Sequence, residues 1–557
     1  MKSGSTIKTS AVALMVTLIA AGCGTSSQVT SAPSHGKPTV GGSISINASP
    51  HGPWADVFNP YSPGENQDDI VPDIYEPLIQ WNSNNGQSLP WLATKWSWNT
   101  KGNVLTMNLR RGVKWTNGRP FTSRDVVFTL DMLRKYPAAD TNALWSYMTG
   151  VQADGSYAVK ITLNHPNSTF LYYLGETLIV PESQWKNVNP VTYADTHPIG
   201  TGPYVLKSFS PEEIVLTRNP NYWNHPQPYI QTVYYPAETS NSSDILALDS
   251  GSLQWASFFS PNLQHEFVDR NPKVNHIDLT ADALDILYLN NQRYPLNIPA
   301  VRRALSDAIN RRKLSVIAES GYSTPTTLNG IPKLMASQWS TPTEQKNAQA
   351  VYNPKLAKSL LLKAGFKMGK NGYLVTPQGH EFSMNLVVAS PFTDFVTLSS
   401  IMASDFRAIG INASVEETSV SNYLTKLEVG NFSAGVCWSP SGPTPFYTLN
   451  QLMNTNYSAP IGKVATANYE RFSDPAVETL ARDYESTTNF AKQKVYDLEL
   501  AKIMQREMPV IPLLNRMTPN EYSTAHIAGW PSPSHPYWDN SSDSGPIVVL
   551  NRLYYVH

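Results

Sequence analysis

The chain has 557 residues and a formal net charge of −1, from 42 basic and 43 acidic side chains. Without a basic excess, the electrostatic footprint of a nucleic-acid binder is missing. Charged residues make up only 15%, against roughly 25% in typical soluble proteins. The surface must therefore rely on Ser, Thr, Asn and Gln, which suits a secreted protein, including one facing acid, where carboxylates lose their charge.

The N-terminus reads as an export signal. Lys2 and Lys8 precede an apolar run, Ala11 to Ala21, far shorter than the ~20 residues a membrane-spanning helix needs. It ends in "LIAAGCG", small residues directly before Cys23. This resembles a bacterial lipobox, so residues 1–23 are expected to be a lipoprotein signal and Cys23 the lipidated residue. Residues 24–39, rich in Ser, Thr, Gly and Pro, read as a flexible tether. The only other cysteine is Cys437, so no disulfide is expected and Cys437 reads as a small buried hydrophobe.

Beyond the tether, "GGSISINAS" alternates like a half-buried strand, as does "VLTMNL" at 104–109. Thr122 with Asp125 predicts a capped helix start before Val126, Val127, Leu130 and Leu133. A helix is predicted from Pro299 to a stop at Gly321, and another from cap Asn353 and Pro354 to Gly365. "TLSSIMASDFRAIG" predicts a helix closed by Gly410, followed by a strand in "INASV". Near the end, "AKQKVYDLELAKIMQRE" reads as a helix and "MPVIPLL" as a strand. Strands and helices mix throughout, an α/β or α+β pattern.

Catalytic signatures are absent: the sequence holds no G-x-S-x-G, H-E-x-x-H, P-loop or C-x-x-C. Its 11 histidines are scattered. No metal or cofactor is expected; absent motifs argue against an enzyme, and a secreted hydrolase with carboxylates distant in sequence stays as a remote alternative.

Several segments together resemble the extracellular solute-binding protein family 5, the oligopeptide- and dipeptide-binding components of ABC importers. They are "LRRGVKWTNGRPFTSRDVVFTL", "HPIGTGPYVLKSF", "LTRNPNYW", "AVRRALSDAINRRKL", "YNPKLAKSLLLKAGF" and "PVIPLL". In "PIGTGPY", Gly200 and Gly202 read as backbone angles other residues avoid. In "RNPNYW", Tyr222 and Trp223 read as core, and Asn219 and Asn221 as turn residues.

The resemblance implies a two-lobe α/β fold of the periplasmic-binding-protein type, with an extra domain and a hinge between lobes. Lobe I would comprise 40–82, 199–283 and 523–557, the extra domain 83–198, and lobe II 284–522. It also implies a monomer that captures a peptide or an oligosaccharide between its lobes and serves an ABC permease and its ATPase subunits. The protein would be held at the outer face of the cell membrane by its lipid.

The stretch "GVCWSPSGPTPFY" from Gly435 to Tyr447 is dense in Pro and Gly and predicts a loop facing the cleft. Peptide-binding relatives commonly place an aspartate in this region to pair with the ligand's amino group. No acidic residue stands here between Gly435 and Gln451, and Glu428 reads as lying on the far side of the preceding apolar segment. Aromatics are plentiful instead. Trp438, Trp255, Tyr447, Phe446 and Trp54 are the expected ligand contacts.

Overall fold

A computed structural model describes residues 37–47, 52–62, 69–82, 87–280, 283–532, 535–542 and 546–556. Cys23, the signal and all but the end of the tether lie outside them. Three sheets organise the remainder, which forms one unit from Pro38 onward.

The first sheet has seven strands, in spatial order Asn275–Thr280, Thr518–Ser523, Trp255–Ala256, Gly41–Asn47, Ile230–Pro236, Glu213–Arg218 and Tyr204–Ser210. The alternation read in "GGSISIN" is real: Ile44 and Ile46 are fully buried while Ser43 is exposed. The second sheet has six strands, in order Thr324–Pro325, Val510–Asn515, Leu284–Leu289, Ala434–Trp438, Ser383–Ala389 and Asn412–Thr418. Its neighbours Val510–Asn515 and Leu284–Leu289 are buried at every position, as strands covered on both faces must be. The third sheet, Ala93–Trp98, Val104–Leu109, Ala158–Leu163 and Met148–Ala153, is antiparallel and lies under the helix Ser123–Lys135.

The chain passes between the first two sheets twice, once between Thr280 and Leu284 and once through Arg516–Met517. The return expected at 523 thus comes earlier, because Thr518–Ser523 is already a strand of the first sheet, paired with Asn275–Thr280. The two passages are tied together. Arg516 sits 3.3 Å from the fully buried Asp285.

Several local expectations hold. Thr122 and Asp125 form a capping box, and Asn353 caps the helix Pro354–Lys363 through the Leu356 N–H. The long helix predicted from Pro299 to Gly321 is broken, however. Pro299–Ala308 stops because Ile309 turns extended and buries its side chain, and Asn310 caps a fresh turn by accepting from the Lys313 N–H.

Gly200 and Gly202 need absence of bulk rather than unusual angles: a Cβ at either would overlap the Ile74 or Asp73 carbonyl. The Gly202 N–H donates to the Ile74 carbonyl at 2.8 Å, and Asn219 Nδ2 donates to the Gly202 carbonyl at 2.8 Å. That bond joins "GTGPY" to "RNPNYW". Tyr222 is buried and donates to Glu76, as predicted for a core residue.

The stretch predicted as a loop is mostly regular structure. Gly435 to Trp438 lie in the strand Ala434–Trp438, and Pro445 opens the helix Pro445–Met453. Gly435 fits in a strand because a Cβ there would press on Leu427 and Val387 at 3.0 and 3.1 Å. Pro445 fits in the first helical turn, where its missing N–H would have had no partner. Only the residues between Trp438 and Pro445 make the loop.

Candidate functional site

A cavity of about 1260 Å³ lies among the three sheets. The first sheet's side contributes Asp278 and Leu279, the second Tyr288, Cys437 and Trp438. The neighbourhood of the third sheet contributes Asp140, Asn142, Tyr172 and Glu176. The C-terminal region adds Trp538, Asp539 and Asn540. Hydrogen bonds join the parts around it. Asn241 Nδ2 donates to Thr393 Oγ1 at 3.0 Å, the Ser168 N–H to the Glu485 carbonyl at 2.7 Å, and Gln493 Nε2 to Ser168 Oγ at 3.2 Å.

Of the expected contacts, Trp438 lines the cavity. It ends its strand, and its ring rests on Phe392 and Phe395 with centroids 5.9 and 6.1 Å away. The Arg516 guanidinium lies 5.7 Å from its centroid. The residue is still 40% exposed. Such a large apolar surface stays open to water only at a cost of hydration that a ligand could relieve.

The other four stand behind the wall. Phe446 is fully buried, stacked on Tyr484 with centroids 3.9 Å apart. Trp255 is fully buried against Trp530, and its Nε1 donates to the Asn540 carbonyl at 3.1 Å. It supports a lining residue without being one. Trp54 is buried and donates to the Tyr235 carbonyl at 3.0 Å. Tyr447 is buried against Tyr172 and Tyr173, at 4.6 and 5.4 Å between centroids. It is a clasp between the second sheet's helices and the third sheet's domain, beside the lining residue Tyr172. Packing against partners remote in sequence decides these outcomes.

The lining holds groups that sequence reasoning missed. Trp81, Tyr172, Tyr288, Tyr469 and Trp538 add aromatic surface. Five carboxylates, Asp140, Glu176, Asp278, Glu428 and Asp539, line it, and among the described lining residues there is no Lys, Arg or His. Glu428 thus faces the cavity, not the far side. It shares a helix face with Leu424, four residues before it and also in the lining. That spacing was legible and should have placed it. Glu176 extends into the cavity from the end of the helix Phe170–Gly175. Desolvation pushes both carboxyls up to about 7. Cys437 is buried, and its thiol is pushed up to about 11 by desolvation. Among the described residues no three His, Cys, Asp or Glu side chains converge as metal ligands would. No described helix is long and apolar enough to cross a membrane.

The family model described as "Bacterial extracellular solute-binding proteins, family 5 Middle" matches residues 88–459, more than half of the chain. The chain belongs to this family. One relative, the glutathione-binding protein GsiB of Salmonella choleraesuis, is 25% identical over 461 residues, covering 79% of this chain and 83% of that protein. The di/tripeptide-binding protein 1 of Pseudomonas aeruginosa is 23% identical over 485 residues, covering 82% and 86%. The mannohexaose-bound periplasmic oligopeptide-binding protein of Thermotoga maritima superposes with a TM-score of 0.82 at 24% identity, over 92% of this chain and 99% of that one. The DppA protein of Helicobacter pylori, in complex with the peptide STSA, gives 0.77 at 20% identity, over 93% and 99%. The family 5 fold, two lobes of mixed α/β structure, is therefore that of this chain.

Proposed function

We propose that this family 5 protein is the substrate-binding lipoprotein of an ABC importer. It captures oligopeptides between its lobes and delivers them to a permease, whose ATPase is a separate chain. Cys23 carries the lipid that holds it outside the cell membrane, and the protein itself performs no chemistry.

The observation that carries this reading is the large cavity between the sheets. At about 1260 Å³ it exceeds the roughly 300–1,000 Å³ of ordinary small-molecule pockets, so it has room for a chain of several units. Its walls come from both sides of the two passages, so a ligand touching both stabilises closure. The peptide-binding names of the relatives favour a peptide. Carboxylates in the lining supply the ammonium partner that the stretch at 435–451 lacks. Exposed aromatic surface at Trp438 favours a second reading, an oligosaccharide stacked by its C–H faces.

A thermal-shift screen decides between them, since a ligand that binds the native state raises the melting temperature by mass action. Di- to pentapeptides are expected to stabilise the protein. Stabilisation by cello-, xylo- or manno-oligosaccharides alone would replace the peptide reading with the second.

A further inference from the structure

We propose that this cavity selects a positively charged ligand, with Glu176 and Glu428 as the two groups that receive its ammonium or guanidinium charge. The inference rests on the cavity being the ligand site, and it adds a charge class to the peptide reading.

The five lining carboxylates are not equivalent. Asp140 is used up locally, accepting from the Leu144 and Trp145 N–H groups at 2.9 and 2.8 Å. Asp278 accepts from Asn540 Nδ2 at 3.1 Å, and Asp539 is engaged as well. Glu176 and Glu428 have no side-chain hydrogen bond or ion pair among the described residues.

Their positions make this worse. Glu428 is the last residue of the nine-residue helix Val420–Glu428, and Glu176 directly follows the helix Phe170–Gly175. A helix C-terminus carries partial negative charge and is the wrong end for an anion. Glu176, exposed to the cavity, and Glu428, half-buried, stand at such ends and share a cavity that contains no cation among its described lining.

A cation entering this space gains from every one of these features. Protein walls of low dielectric strengthen its attraction to the carboxylates. Tyr172, on the turn before Glu176, offers aromatic surface to the same charge. A ligand carboxylate finds no basic partner among the described lining residues, so a bound peptide would point its C-terminus away from Glu176 and Glu428 or lack a free one. The elevation of both carboxyls to about 7 agrees with a missing counter-charge.

The test is calorimetric titration of the intact mature protein with three tetrapeptide amides: tetraalanine, a version with two lysines, and a version with two glutamates. The dilysine peptide is expected to bind at least about tenfold tighter than the diglutamate peptide. Glu176→Gln and Glu428→Gln are each expected to erase much of that preference while leaving the ligand-free melting temperature unchanged or higher. Equal binding of the three peptides, or a preference intact in both variants, overturns the proposal. A glucosamine tetramer and its N-acetylated form separate the two readings. If no peptide binds but the glucosamine tetramer does and the acetylated form does not, charge selection stands and the peptide reading fails. If neither class binds, both fail.

Discussion

Trp438→Ala tests whether the one exposed aromatic among the predicted contacts is a ligand anchor. An aromatic side chain buries roughly 150–250 Å² when fully covered, and Trp438 remains 40% exposed. Coverage by ligand would then remove up to about 100 Å² from water, worth ~2.5 kcal/mol at about 25 cal/mol per Å². Some of that surface stays wet, so about 2 kcal/mol is expected, a loss of roughly 30-fold in affinity. The assay is calorimetric titration with the tightest peptide from the thermal-shift panel, on wild type, Trp438→Ala and Trp438→Phe. Phenylalanine, which keeps part of the ring surface, should fall between. The ligand-free alanine variant should also melt lower, since the other face of the ring rests on Phe392 and Phe395. A dissociation constant within about twofold of wild type, alongside that lower melting temperature, would refute the reasoning and reduce Trp438 to a packing residue.

Asp244→Asn should change how stability depends on pH. Asp244 is fully buried, accepts from Asn47, and has its carboxyl pushed up from 3.8 to about 8 by desolvation. The folded state therefore holds a proton that the unfolded state releases: stability is fully present below pH 3.8 and is lost as pH rises through about 8. Wild type should lose ~1.4 kcal/mol per pH unit relative to the variant, so urea unfolding at pH 5 and 7 should reveal a relative change of about 2–3 kcal/mol; parallel pH curves would contradict it. Asp73 and Asp195, each raised to about 7 by desolvation, act in the same direction and make the whole protein more stable on mild acidification. Phe446→Ala should cost about 3–5 kcal/mol of stability with little effect on affinity per folded molecule, and a large rise in dissociation constant at full folding would return Phe446 to the site. Cys23→Ala should release the protein into the medium; membrane retention of that variant in cell fractionation would end the lipoprotein reading.

Much of the fold was legible because its signals are local. The cap at Thr122, the Asn353–Pro354 start and the alternation at Ile44 and Ile46 each depend on a few consecutive residues, and they stand as read. Errors arose where a distant neighbour decides. Ile309 ends a helix that its sequence would continue, because its side chain is buried in the lobe's core. Gly435 looks like a breaker until Val387 and Leu427 are seen closing on it. The site was less legible for the same reason. Whether Trp255, Trp54 or Phe446 faces ligand or core depends on Asn540, Tyr235 and Tyr484, all remote in sequence. Glu176 joins the cavity from a different part of the chain than Glu428, and no spacing in the sequence announces that they share one space.

The claim at the centre is that this cavity captures an oligopeptide. Native mass spectrometry of the protein as purified from its own cells, followed by release and sequencing of whatever it carries, tests this most directly. The account predicts one bound species per protein, released on unfolding and composed of amino acids. A bound oligosaccharide, or a protein that stays unliganded in the presence of every peptide offered, would contradict it.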